Sequence, residues 1–341
     1  MKQYNVAVVG ATGAVGEEIL RILKEVDFPI KKLLPLSSAR SAGSKIEFGK
    51  EEVAVKELTH NIFEDEGVEI ALFSAGGDIS AKFADSAAKA GAVVIDNTSH
   101  FRMDEDVPLV VPEVNPDDVA KWKKKGIIAN PNCSTIQMVQ ALKPLDDVYG
   151  IKRVDVSTYQ AVSGAGKFAM EELVMQMKDF FEFKIDGAKC EAFAHQIALN
   201  VIPQIDKFMD SGYTKEELKM TNETKKILGK DIEVSATCVR VPVLRGHSET
   251  LSIKFDKEVD AKEAQKILSK GPNLVLVDSP EDLAYPMPIH CSEKDETFVG
   301  RVRSDIYDKK ILHMFVVADN LRVGAATNAV RIAQKWIEME G

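Results

Sequence analysis

Tyr4-Asn5-Val6-Ala7-Val8-Val9-Gly10-Ala11-Thr12-Gly13-Ala14-Val15-Gly16 opens the readable part of the chain, and Ile19, Leu20, Ile22 and Leu23 follow at helical spacing. An apolar strand, a glycine turn and an amphipathic helix, in that order, give a G-x-x-G-x-x-G run its meaning. Gly10 permits the tight turn, Gly13 lets the backbone approach a pyrophosphate, and Gly16 lets the helix pack closely on the strand. The helix start then offers unpaired N–H groups to the phosphates. The N-terminal part therefore reads as a dinucleotide-binding α/β domain.

Working outward, the run from Lys32 to Leu36 ends in Ser37-Ser38-Ala39-Arg40-Ser41. In such a fold the end of the second strand reads the adenosine ribose. An acidic residue there favours NAD, whereas a nearby arginine accommodates the 2′-phosphate of NADP. Here the turn holds hydroxyls and Arg40, so NADP is expected. Val68 to Phe73 and Val93 to Ile95 read as further strands, separated by an alanine-rich helix from about Ile79 to Ala90. Strands alternating with helices imply a parallel sheet whose carboxyl edge binds ligands. Arg102, in the loop after the 93–95 strand, lies on that edge and is a candidate anion ligand. Lys121 to Lys125 reads as a solvated helix end.

Further on comes Asn130-Pro131-Asn132-Cys133-Ser134-Thr135, between the apolar run 126–129 and a segment with Ile136, Val139, Leu142 and Leu145 at helical spacing. Asn-Pro sets a turn, so Cys133 falls at a helix start. There the N–H groups and the helix dipole stabilise a thiolate, a nucleophile for a carbonyl carbon. After it the texture changes to that of an α+β domain. Residues 151–159 alternate at strand period and lead into Gln160 and Ser163-Gly164-Ala165-Gly166; a helix with Met170, Val174 and Met177 reads as core or subunit contact. His195 reads as a semi-buried structural histidine. The charged segment 214–228 has, on pattern alone, the character of a solvated helix. Residues 234–243 and 250–255 read as strands, joined by a turn that holds His247. This histidine is the best acid/base candidate in the chain, and Arg240 lies seven residues earlier. The stretch 311–317 is a last strong strand, and 321–339 is an amphipathic helix expected to return to the first domain.

At 341 residues the chain has room for two cores. Hydrophobic content of 45% and charged content of 28% are those of an ordinary globular protein, and a net charge of −9 argues against broad nucleic-acid or anionic-membrane binding. The four cysteines are widely spaced with no CxxC pair, so neither a metal site nor a disulfide framework is expected. Without a signal-peptide pattern or a membrane-length apolar run, a cytoplasmic setting is expected.

A thiol nucleophile, a histidine and a nicotinamide cofactor suit interconversion of an aldehyde and an acyl phosphate through a thioester. Two anion sites are then needed, for phosphate and for a substrate carboxylate, and Arg102 and Arg240 are available. Several motifs carry a resemblance at this point: Gly-Ala-Thr-Gly-Ala-Val-Gly at 10–16, Ser-Ala-Arg-Ser-Ala-Gly at 38–43, Asn-Pro-Asn-Cys-Ser-Thr at 130–135, Tyr-Gln-Ala-Val-Ser-Gly-Ala-Gly at 159–166, Asn-Val-Ile-Pro at 200–203, Glu-Thr-Lys-Lys-Ile-Leu at 223–228 and Arg-Val-Pro-Val-Leu-Arg-Gly-His-Ser-Glu at 240–249. In this order they resemble the aspartate-β-semialdehyde dehydrogenase family. The compact Leu-Arg-Gly-His spacing is closest to its Gram-positive and archaeal-type branch.

The resemblance implies a Rossmann-type NADP-binding domain, residues 1–130 with 321–341, and an α+β catalytic and dimerisation domain, 131–320. It implies NADPH-dependent reduction of L-aspartyl-4-phosphate to L-aspartate 4-semialdehyde, in lysine, threonine and methionine biosynthesis, by a homodimer or tetramer. Cys133 would form the acyl-enzyme, with His247 as acid/base catalyst and Gln160 orienting the substrate. Arg240 would hold the α-carboxylate and Glu223 the amine, with Arg102 and Lys226 at the phosphate. Thr12, Gly13, Ala14, Val15, Arg40, Ser41, Ser163, Gly164 and Asn320 would contact NADP. This changes the pattern-based reading of Glu223 and Lys226. N-acetyl-γ-glutamyl-phosphate reductases, with Asn-Pro-Gly-Cys-Tyr-Pro at the thiol, and glyceraldehyde-phosphate dehydrogenases, with Ser-Cys-Thr-Thr-Asn, are more distant. A catalytically dead relative is disfavoured because Cys133, Gln160, Arg240 and His247 are all present.

Overall fold

A computed structural model describes residues 2–340, and the chain divides into two compact units. The first takes the chain up to Asn132 and again from Ala325; the second is Cys133–Gly324. The first unit contains β1 (Tyr4–Val9), α1 (Ala14–Glu25), β2 (Ile30–Ser37), a hairpin of β3 (Lys45–Phe48) and β4 (Glu51–Ala54), β5 (Lys56–Glu57), the single turn α2 (Ile62–Asp65), β6 (Ile70–Phe73), α3 (Gly77–Lys89), β7 (Val93–Asp96) and β8 (Ile127–Ala129). Six strands form a parallel sheet in the order β5-β2-β1-β6-β7-β8. Parallel strands are covered on both faces, so their residues are apolar in succession, and β6, β7 and β8 are buried at every position. Ile19, Leu20, Ile22 and Leu23 of α1 pack into the same core as Val6, Val8, Ile70 and Ile95.

The second unit contains α4 (Cys133–Tyr149), β9 (Ile151–Gln160), α5 (Lys167–Phe181), α6 (Lys215–Leu228), β10 (Glu233–Arg240), β11 (His247–Phe255), α7 (Ala261–Leu268), β12 (Leu274–Leu276), α8 (Pro288–Cys291), β13 (Thr297–Ser304) and β14 (Ile311–Ala318). Its sheet runs β10-β9-β11-β14-β13-β12, with the outermost pairs parallel and the inner ones antiparallel. Alternate residues Val154, Val156, Leu251, Ile253, Leu312 and Met314 point to one face and share a core with Leu142 and Leu145 of α4, Met220 of α6 and Leu268 of α7. On the opposite face Tyr159 and Phe315 bring their rings within 6.4 Å, and Tyr159 is 39% exposed. Met170 and Met177 of α5 pack on a small core around Val162 and Leu173, whereas Val174 is exposed.

After β14 a π-helical turn, Arg322–Ala326, leads into α9 (Thr327–Glu340), which joins the first unit's core through Val330, Ile332, Ala333 and Trp336. Among the described residues no helix is long and apolar enough to cross a membrane, and no group of three metal-ligating side chains occurs.

Candidate active site

In the first unit, the glycine turn has the shape the motif requires. Gly10 has φ of +84°, and a Cβ there would lie 3.0 Å from the Ala75 backbone. A Cβ on Gly16 would come within 2.1 Å of the Gly10 carbonyl oxygen, so only glycine lets α1 sit this close. Gly13 occupies the N-cap of α1, exposed and extended, and no side chain caps the helix. The first-turn N–H groups are thus left for an anion, and the cradle fits a dinucleotide pyrophosphate. The Thr12 hydroxyl lies 3.1 Å from that of Ser37 at the end of β2. Arg40 stands exposed in the turn closed by Ser41 N–H to the Ser38 carbonyl. Arg102 is buried, its guanidinium donating to the carbonyls of Asn130 at 2.9 Å and Asn97 at 2.8 Å.

In the second unit the covered face of the sheet changes character along its length. It is apolar through Val154, Val156, Leu251 and Ile253, then passes Thr158, Cys238 and Glu249 to Gln160, Arg240 and His247, all buried. Gln160 pairs with Arg240 across β9 and β10. Ser248 pairs with Tyr159, which sets His247 beside Gln160 at the strand ends. His247 is the first residue of β11, not part of a turn: the strand expected from 250 starts three residues earlier and pairs His247 with Ala318. Likewise β10 stops at Arg240, short of the expected 243.

The site's polar contacts are specific. The Ala161 N–H donates to His247 Nδ1 at 3.1 Å, so the ring's proton in the neutral form sits on Nε2. Nε2 has no hydrogen-bond partner among the described residues. Burial, with Arg240 adding to it, holds His247 well below the usual histidine value of 6.5. In the neutral form this burial favours, the ring presents its N–H at Nε2. Arg240 donates to the Ala161 carbonyl at 2.7 Å. Burial pulls its pKa down, while Glu216 and Cys133 draw it back up. Gly164 leaves room for both side chains, since a Cβ there would lie 2.9 Å from Arg240 and 3.2 Å from His247 Nε2.

Cys133 is the first residue of α4 and partly exposed. A Cβ on Gly324 would come within 2.6 Å of the Cys133 Cβ, so the π-helical turn runs directly against Cys133. The other cysteines are poor rivals. Burial pushes the Cys238 thiol far up and that of Cys291 up to about 11, and Cys190 lies exposed near the Ala188 carbonyl.

The charged segment 214–228 is not a solvated face. Thr214 and Glu217 form a capping box, and Glu216, Glu217 and Glu223 are buried. Glu216 accepts from Gln160 at 3.3 Å and from Lys219 at 3.0 Å. Burial disfavours the charge of Lys219, yet Glu216 and Asp206 together hold its pKa above the ordinary lysine value. Glu223 and Lys226 lie seven residues further along α6, about 10 Å by helical rise. The carboxylate and ammonium beside Gln160 are therefore Glu216 and Lys219, which the sequence reading passed over. Their signal was the Thr214-x-x-Glu217 capping box, which marks the helix end nearest the site. Asn320 donates to Ser163 and accepts from the Gly246 N–H, so its amide already ties two loops of the unit together. His195, read as semi-buried, is exposed.

Glu249, two residues beyond His247, is fully buried, and among the described residues neither carboxyl oxygen has a hydrogen-bond partner. Burial pushes its pKa well above 4.5. A native pKa above the unfolded one gives stability that is complete at low pH and lost as pH rises toward the native value. The loss is about 1.4 kcal/mol per pH unit in that window. Glu249→Gln removes it, so the melting-temperature gain over wild type should be larger at pH 7.5 than at pH 5. An equal shift at both would show that the carboxyl is not held neutral.

Comparison with known proteins bears on both units. Residues 5–122 match the family described as "Semialdehyde dehydrogenase, NAD binding domain", and residues 142–323 match "Semialdehyde dehydrogenase, dimerisation domain". The aspartate-semialdehyde dehydrogenase of Campylobacter jejuni is 62% identical over 339 residues, covering 99% of each chain. That of Bacillus subtilis is 51% identical over 337 residues, covering 97% of this chain and 96% of its own. Among solved structures, aspartate semialdehyde dehydrogenase II of Vibrio cholerae complexed with ASA superposes with a TM-score of 0.96 at 48% identity, covering 100% of both chains. The Candida albicans enzyme with NADP gives a TM-score of 0.76 at 26% identity, with 99% coverage of each chain.

Proposed function

The chain belongs to the aspartate-semialdehyde dehydrogenase family, and from that premise we propose that it reduces L-aspartyl-4-phosphate to L-aspartate 4-semialdehyde and phosphate with NADPH, through a thioester on Cys133. The observation that carries this reading is the gathering of Gln160, Arg240 and His247 at one end of the second sheet, in the same compact unit as Cys133 at its helix start.

Cys133 Sγ attacks the acyl carbon, and the bond to the phosphate oxygen breaks. NADPH, when bound, supplies the hydride that takes the acyl group to the aldehyde level. The former carbonyl oxygen carries negative charge in the tetrahedral adducts before and after the thioester, and the His247 Nε2–H suits it as a donor. Collapse of the reduced adduct breaks the carbon–sulfur bond, frees the aldehyde and restores the thiolate. The one proton consumed overall is taken from solvent by the departing phosphate, so His247 need only donate a hydrogen bond. Its Nδ1 lone pair is engaged by Ala161, which favours this donor role over that of a base. Arg240 suits the α-carboxylate through its fork geometry. Glu216 suits the ammonium in preference to Glu223, with Lys219 beside it rather than Lys226. Gln160 orients the substrate, and Arg102 is proposed for phosphate.

For the cofactor, Gly10, Thr12, Gly13, Ala14 and Val15 would hold the pyrophosphate, Arg40 and Ser41 the 2′-phosphate, and Ser163, Gly164 and Asn320 further contacts. Exposed Arg40 in a turn without a carboxylate supports NADP over NAD. Arg40→Ala should cut the NADP-over-NAD preference in kcat/KM by about 10-fold, the value of one charge-assisted contact. An unchanged ratio would assign the 2′-phosphate elsewhere. A cytoplasmic homodimer is proposed, supported by the half-exposed Tyr159 and Phe315 face of the second sheet. The function is tested by phosphate-dependent NADP⁺ reduction, run side by side on aspartate semialdehyde and N-acetylglutamate semialdehyde. Turnover confined to the first is expected, and preference for the second would refute the assignment.

A further inference from the structure

We infer that Asp319 is a positioning residue whose carboxylate holds the His247 strand end and the Gly324 turn in one arrangement around Cys133. This rests on the function proposed above. Asp319 follows β14 directly, after the Ala318 that pairs with His247, and is fully buried. One carboxylate oxygen accepts the N–H groups of Leu321 at 2.9 Å and Arg322 at 3.0 Å, which opens the π-helical turn. The other accepts from the Arg245 guanidinium and from the Glu293 N–H. Its main-chain carbonyl takes the Gly324 N–H at 3.1 Å. Arg245 stands two residues before His247, and the intervening Gly246 N–H is held by Asn320 at 2.9 Å.

One buried carboxylate therefore ties two branches. The first runs through Arg245 to the residue that presents the Nε2–H donor. The second runs through Leu321 and Arg322 to Gly324, whose backbone abuts the Cys133 Cβ. Charge-assisted bonds of this kind are short and directional. Replacing the acceptor frees Arg245 and the turn to shift against the nucleophile, and a misplacement of about 1 Å costs on the order of 10²-fold in rate.

The test is Asp319→Asn in the full-length enzyme. Asparagine can keep the acceptor for Leu321 and Arg322 but turns an NH₂ group toward the Arg245 and Glu293 donors. Expected are a fall in kcat of about 10²-fold, KM values for aspartate semialdehyde and NADP⁺ within about two-fold of wild type, and an altered rate of Cys133 alkylation by iodoacetamide. The double variant Asp319→Asn/Arg245→Gln should be no slower than the worse single one. A lower melting temperature with kcat per folded enzyme unchanged, or a KM effect alone, would overturn the inference. Should Asp319→Asn not fold, Arg245→Gln cuts the same link from the other side and must lower kcat at constant KM; an unchanged kcat refutes the role. Alkylation needs no substrate, so a wrong substrate assignment would leave its response intact and be recognised as a separate failure.

Discussion

Cys133→Ser is expected to lower turnover by about 10⁴-fold or more while leaving NADP binding unchanged. Serine has the same Cβ and a smaller terminal atom, so the close passage of Gly324 is undisturbed, and the variant should fold. What it loses is the more acidic and more nucleophilic thiol: a hydroxyl at the start of α4 stays protonated near neutrality and has no base at hand, since His247 Nδ1 is occupied by the Ala161 N–H. None of the other cysteines can substitute. Cys238 and Cys291 are buried with raised pKa values, and Cys190 sits on an exposed loop. Steady-state rates, with fluorescence titration of the cofactor, read the two parts separately. Retained activity with intact cofactor binding would remove the sulfur from the chemistry.

His247→Ala should lower kcat by about 10²- to 10⁴-fold and leave the rate of Cys133 alkylation by iodoacetamide close to that of wild type. The second half discriminates. If His247 withdrew the thiol proton, alkylation would slow in parallel with turnover. A neutral donor aimed at the carbonyl oxygen leaves it alone. The same geometry fixes the pH dependence. Protonating the ring would set an Nδ1–H against the Ala161 N–H, and burial and Arg240 both oppose it. His247 therefore contributes no loss of kcat as pH falls from 8 toward 6.5, and activity tied to it declines only below its depressed pKa. By linkage, the stability it contributes is complete above 6.5 and is lost as pH drops toward that lower value. An inflection in kcat near 6.5 that vanishes in the variant would contradict the donor role.

The N-terminal fold was legible because each glycine of the fingerprint answers to a steric need that local sequence expresses. Gly16 has to be glycine because a Cβ would meet the Gly10 carbonyl, and the apolar runs on either side are long enough to name strand and helix. The thiol, Gln160, Arg240 and His247 were legible as motif residues, each at a helix start or strand end. Glu216 was not. It shares α6 with Glu223 at positions that point the same way, and only the docking of that helix's first turn against Gln160 separates them. The strand β13 escaped notice because Gly300 and two arginines interrupt its apolar alternation. There a Cβ would strike the Val277 carbonyl at 2.1 Å, a contact with a residue distant in the chain. Asp319 looks like any strand-end aspartate until Arg245, Glu293 and Arg322 are seen to converge on it. Local signals reached most of the elements, whereas contacts set by tertiary docking stayed out of reach.

The central claim is that one sulfur carries the acyl group. The most direct measurement is rapid acid quenching of the enzyme mixed with L-aspartyl-4-phosphate without cofactor, followed by peptide mass mapping. One aspartyl group per chain on the Cys133 peptide, matched by one equivalent of released phosphate, is the predicted result. A phosphate burst with the acyl group on another residue, or hydride transfer from added NADPH with no adduct at Cys133 at any quench time, would contradict it.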